Sequence, residues 1–133
     1  MSIVTSDLSL VKRTTRHFDD AVAEARQQLA GQGFGILSEI DVSAAMKKRL
    51  NINYPRTLIL GACNPPFAHQ ALSAVPDIVV LLPCNVVVRE NDAGEVEIAA
   101  INTNMMGQMI QHPAIMEVAR EVDLRLRRVL DAV

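Results

Sequence analysis

The chain predicts an α+β two-layer sandwich, a mostly antiparallel sheet with helices packed on one face. Three observations carry that prediction. Short β-rich runs alternate first with helical stretches, a hairpin follows, and a long amphipathic helix closes the 133 residues.

Ser9 to Thr15 predicts the first strand, with Leu10, Val11 and Thr14 as its β-favouring residues. Phe18 to Ala30 predicts a helix. Phe18, Val22, Ala25 and Leu29 recur at helical spacing, Asp19 and Asp20 occupy the first turn, and Gly31 stops it. Phe34 to Ile40, short and bounded by glycine, predicts a second strand. A short helix then runs from about Ser43 to Leu50. Asp41 or Ser43 caps it, and Lys47, Lys48 and Arg49 complement its C-terminal dipole.

Arg56 to Ala62 predicts a third strand through Leu58, Ile59 and Leu60. Asn64-Pro65 opens the next helix, because asparagine is a good N-cap and proline at the first helical position loses no needed donor. Phe67, Ala68, Ala71 and Leu72 lie on that helix, which ends before Pro76. Ile78 to Leu82 predicts a buried strand, interrupted at Pro83, and Asn85 to Glu90 continues extended. Asn91 to Gly94 is a hairpin turn that returns the chain along Glu95 to Ile101. From Pro113 onward, Ile115, Val118, Ala119, Val122, Leu126, Val129, Leu130 and Val133 form one apolar stripe wide enough to dock on a sheet.

Half of the residues are apolar, only 3% are aromatic and none is tryptophan, so the core must be aliphatic. The length suits a single domain over residues 1–133. A net charge of −2 and a pI near 5.9 argue against a nucleic-acid or anionic-membrane surface. Lys47-Lys48-Arg49 and the group Arg125, Arg127, Arg128 read as solvated helix faces. No signal-peptide pattern opens the sequence, and no apolar run approaches the ~20 residues that span a bilayer. These features predict a cytoplasmic protein whose two cysteines are free thiols or a ligand pair.

Three ordered blocks carry a resemblance: Gly33 to Val42, Leu60 to His69 with its Gly61-Ala62-Cys63-Asn64-Pro65 core, and Leu81 to Val88 with Pro83-Cys84-Asn85. From about residue 10 onward the chain resembles the bacterial and archaeal domain-of-unknown-function family 302. The resemblance implies a small α+β domain similar in architecture to half of a TATA-binding protein. It implies no activity, and fold likeness transfers no DNA binding. One departure is Asn102-Thr103, where the family pattern has an acidic residue followed by proline.

Both cysteines stand where an apolar run meets a turn, each followed by asparagine beside a proline. Cys63 precedes a helix N-terminus, whose dipole favours a thiolate able to act as nucleophile, redox centre or soft-metal ligand. Cys84 follows a strand. If residues 57–62 and 78–82 pair in parallel, the two cysteines emerge at one sheet edge. His69 is a third candidate metal ligand beside them. Met105, Met106, Met109 and Met116, with His112 among them, form a second cluster. It is able to wall a pocket, act as a lid, meet a partner subunit, hold Cu(I) or ligate haem iron. Glu39 and Asp41 share a strand face and are a candidate acid–base pair.

The leading functional expectation is a small-ligand or cofactor-binding module. Its site is formed by Cys63, Asn64, His69, Cys84, Asn85, Met105 and Met109. One alternative is a thiol enzyme or redox protein with Cys63 as thiolate and Cys84 as resolving partner. Another is a dimeric scaffold without chemistry, the apolar strands and the methionine segment forming the subunit contact.

Overall fold

The computed structural model describes residues 1–133. Six strands form one sheet in the order β1-β2-β6-β5-β4-β3, and every neighbouring pair is antiparallel. The strands are β1 (Val4–Thr5), β2 (Ser9–Thr14), β3 (Gly35–Asp41), β4 (Thr57–Cys63), β5 (Cys84–Glu90) and β6 (Val96–Ile101). The helices are α1 (Phe18–Gly31), α2 (Val42–Leu50), α3 (Pro65–Ala74), α4 (Asn104–Met109) and α5 (Pro113–Ala132). The expected α+β sandwich is therefore the observed fold.

Side-chain alternation explains the layers. Leu10, Leu58, Leu60, Val86, Val88, Ile98 and Ala100 point to one face of the sheet and are buried. Against them lie Ala21, Ala25 and Leu29 of α1 and Val122, Leu126, Val129 and Leu130 of α5. Burying one such aliphatic side chain contributes about 1.5–3 kcal/mol, so this seam is the main source of stability. The residues of opposite parity, such as Val11, Ile59 and Val87, are only half-buried.

Charged and polar ends tie the layers together at their margins. Lys12 Nζ donates to the carbonyls of Leu130 and Asp131, both at 2.9 Å, fastening the end of α5 to β2. Thr14 Oγ1 donates to Val133 O at 2.9 Å beside it. Arg56 stands 3.9 Å over the Phe18 ring and pairs with Asp19 at 2.8 Å, closing the start of α1 against the far edge. Asp41 caps α2, accepting from Ala44 N–H at 2.9 Å.

Two expectations need correction. Ile78 to Leu82 is not a strand, because Pro76–Leu81 forms a 3-10 helix. Proline suits the first turn of a helix. Only Ile78 of this run is buried, while Val79 and Val80 stand 57% and 82% exposed, so a strand's two-sided burial is never available. The parallel pairing of 57–62 with 78–82 consequently does not exist; β4 pairs antiparallel with β5 instead. The methionine segment, where Gly107 and Pro113 suit a loop or a broken helix, is a broken helix, interrupted between Met109 and Pro113. Asn104–Met109 is helical, and Gly107 packs so closely on α5 that a Cβ there would meet Met116 Cα at 3.4 Å. The two-residue β1 was too short to leave a periodic signal.

Candidate functional site

β4 and β5 bring the two cysteines together by a route the sequence reading did not anticipate. Their register pairs Ala62 with Cys84, so Cys63 and Cys84 sit one step apart across the ladder. Both line one cavity of about 40 Å³, bordered by the end of β4, the start of β5, α3, α4 and α5. Phe34, Phe67, Ile78, Met106 and Ile115 supply much of its apolar wall. Asn64 and Thr103 are the only lining residues of polar type besides the two thiols.

Local sequence explains each position. Cys63 ends β4 because Pro65 takes the first position of α3 and stops the ladder. Cys84 begins β5 directly after Pro83, which has no ladder donor. Asn64 occupies the N-cap position of α3, but its side chain does not cap it. Its amide donates instead to Gln32 O at 3.2 Å, in the turn between α1 and β3. Arg125 Nη1 donates to the same carbonyl at 2.9 Å, and its guanidinium lies 5.2 Å from the centroid of the Phe67 ring. Gly33, at φ +85°, makes this close approach feasible; a Cβ there would stand 3.2 Å from Asn64 Nδ2.

Thr103 is wholly buried and donates to Ala119 O at 2.7 Å, pinning the start of α4 to α5. A threonine hydroxyl satisfied by a helix carbonyl is compatible with an apolar wall.

The thiols differ. Cys84 is 8% exposed, and burial pushes its thiol up to about 11, with the neighbouring Cys63 adding to the shift. Cys63 is half-buried. Neither is oxidised to a disulfide.

Of the residues expected at the site, Cys63, Asn64 and Cys84 line the cavity, whereas His69, Asn85, Met105 and Met109 do not. His69 is exposed on α3: six residues from Cys63, it is carried out of the site by the helix. Asn85 has the opposite parity to Cys84 and faces a shallow groove on the other side of the sheet. Met109 is 65% exposed, so of the α4 methionines only Met106 reaches the cavity. No three His, Cys, Asp or Glu side chains gather into a metal-binding group. The Cys63, Cys84 and His69 set is thereby dissolved. His112 caps α5, its Nδ1 accepting from Ala114 N–H at 3.1 Å. A haem has no room in about 40 Å³, since even one water needs about 10–15 Å³.

The candidate carboxylate pair is also structural. Glu39 pairs with Arg26 of α1, and Asp41 is the α2 cap. Not foreseen from the sequence are Phe67 and Thr103 in the cavity wall and Arg125 beside it. Their separation along the chain hid this, and only the α5 stripe hinted at it.

Comparisons with known proteins agree with the fold. The chain is similar to a solved structure described as the crystal structure of an uncharacterized conserved protein DUF302 from Bacillus stearothermophilus. Identity is 24% and the TM-score 0.87, over 93% of this chain and 96% of that one, which speaks for a shared fold. A search of the curated proteins found no match. The family described as "Domain of unknown function DUF302" matches residues 11–133. With both motif cysteines and every helix inside that span, the chain belongs to the DUF302 family.

Proposed function

We propose that residues 1–133 act as one binding domain whose site is the cavity between β4, β5, α3, α4 and α5. The observation that carries this reading is two thiols and a thioether, from Cys63, Cys84 and Met106, in one cavity whose other walls are apolar apart from Asn64 and Thr103. Its volume of about 40 Å³ restricts the occupant to an ion or a few atoms, well short of the ~150 Å³ that holds benzene. A thiol enzyme fits less well. The lining offers no general base, and Cys84 holds its proton to about 11.

Xenon titration followed by methyl NMR tests the reading. Shifts confined to Met106, Ile115 and Val118 support it, and Ala71→Leu, which fills the cavity, is expected to abolish them. Shifts spread over the whole surface, or none at all, would overturn it.

A second reading, self-association of two copies, is favoured by the sheet face that α1 and α5 leave uncovered. There Leu8, Val80, Val87 and Ile101 border an open groove of about 380 Å³. Leu8 and Val80 are 66% and 82% exposed. Sedimentation velocity checks this: a dimer that Val80→Asp dissociates is the expected result, and a monomer at high concentration refutes it.

A further inference from the structure

We infer that the cavity is a site for a soft monovalent metal ion, Cu(I), held by Cys63 and Cys84 with Met106 as third donor. The inference deepens the binding-module reading and rests on it. Size, donor type and surrounding charge each point the same way.

About 40 Å³ accommodates an ion where an organic ligand would need the walls to part. The donors are sulfur. Thiolate and thioether sulfur select Cu(I) over hard cations, which require oxygen ligands and water. The lining contains no carboxylate and no imidazole, so Mg²⁺ and Ca²⁺ find nothing to bind. Zinc prefers four Cys, His or carboxylate ligands, and no group of even three such side chains is present. Low coordination by sulfur is the remaining fit.

Charge is also provided for. Binding breaks two S–H bonds, forms two thiolate–Cu bonds and one thioether–Cu bond, and releases two protons to solvent, with no change of oxidation state. The resulting two thiolates and one Cu(I) carry a net charge of −1. Arg125, held over the Phe67 ring of the cavity wall at 5.2 Å, is in none of the chain's ion pairs and is the cation beside that wall. The N-terminus of α3, directly after Cys63, adds its positive dipole end. Asn64 and Arg125 together hold the Gln32 turn against this corner of the site.

Anaerobic titration with Cu(I) against a chromogenic Cu(I) chelator is the test. The expected result is one Cu(I) per chain with a thiolate-to-copper charge-transfer band in the ultraviolet. Outer-shell changes alone cost a metal site about 10–100-fold, so Cys63→Ser and Cys84→Ala should each weaken binding at least about 100-fold. Met106→Leu should weaken it about tenfold on the same scale, while His69→Ala leaves it unchanged. Circular dichroism and xenon shifts establish that each variant keeps its fold and cavity. Failure of the wild type to compete for Cu(I), retention of binding in Cys63→Ser, or preference for zinc overturns the inference. If xenon shifts persist in any of those cases, the cavity reading survives and only the metal is wrong. Loss of both signals overturns the two together.

Discussion

Asn64 and Arg125, 61 positions apart, donate to a single oxygen, the carbonyl of Gln32, at 3.2 and 2.9 Å. That shared acceptor joins the turn after α1 to the start of α3 and to the middle of α5. It is a polar corner beside a largely apolar cavity. Losing one donor leaves the carbonyl with the other, so Asn64→Ala should cost only about 1 kcal/mol. Arg125→Met, which keeps the stem, should cost about 1–2 kcal/mol because a charged donor is lost. The double variant should cost more than the sum, since Gln32 O then loses both partners. Urea denaturation of the four proteins in the cycle measures this coupling, and strict additivity refutes it.

Gly61 shows how tightly the far side of β4 is packed. A Cβ there would come within 2.2 Å of Ser38 Oγ and 2.9 Å of Pro83 Cγ. The serine hydroxyl can rotate away, but the proline ring, immediately before Cys84, has little freedom. Gly61→Ala should therefore destabilise the protein by about 1–3 kcal/mol. Adding Ser38→Ala should recover part of that loss and not all of it. Full recovery would mean that Pro83 yields easily, and thermal unfolding of the three proteins distinguishes the cases.

The order of elements was legible because amphipathic periods are long: the stripe from Ile115 to Val133 and the run Phe18, Val22, Ala25, Leu29 each dock as their spacing requires. The run Ile78 to Leu82 was not legible. Five apolar residues carry no period of their own, and burial by neighbours decides between strand and helix. That one ambiguity also misdirected the strand pairing. The site was legible at Cys63, Asn64 and Cys84, where turn chemistry and apolar runs meet. His69 and Met109 failed because proximity in sequence says nothing about which helix face a residue occupies. The placement of Arg125 beside the cavity was invisible, since it depends on a turn 93 positions away.

The cap of α2 has a pH signature. Ser43 Oγ donates to Asp41 at 2.6 Å and Ala44 N–H at 2.9 Å, and together these hold the Asp41 carboxyl below its ordinary value of 3.8. A carboxyl whose folded pKa is depressed stabilises the fold above the unfolded value. That contribution is lost as pH falls below 3.8 and through the lowered folded value. Asp41→Ala should cost about 1 kcal/mol at neutral pH, as for other N-caps. The difference from wild type should shrink as the solution is acidified through that window. A gap that stays constant to the lowest accessible pH would show that the carboxylate's charge plays no part.

The two thiols should separate in reactivity. Alkylation proceeds through the thiolate and needs access. Cys63 is half-buried, whereas Cys84 is 8% exposed with its thiol pushed up to about 11. Iodoacetamide at mildly alkaline pH should label Cys63 first, with Cys84 labelled only at the rate of unfolding. Peptide mass mapping against time gives both rates, and adding urea below the unfolding midpoint should accelerate Cys84 selectively. Replacing Cys84 by serine puts a hydroxyl into an apolar wall and should cost about 1–3 kcal/mol, while Cys84→Ala loses only packing. Equal labelling of both cysteines in native buffer would mean that the cavity wall opens freely. Fast labelling of Cys84 alone would reverse the assignment of the accessible thiol.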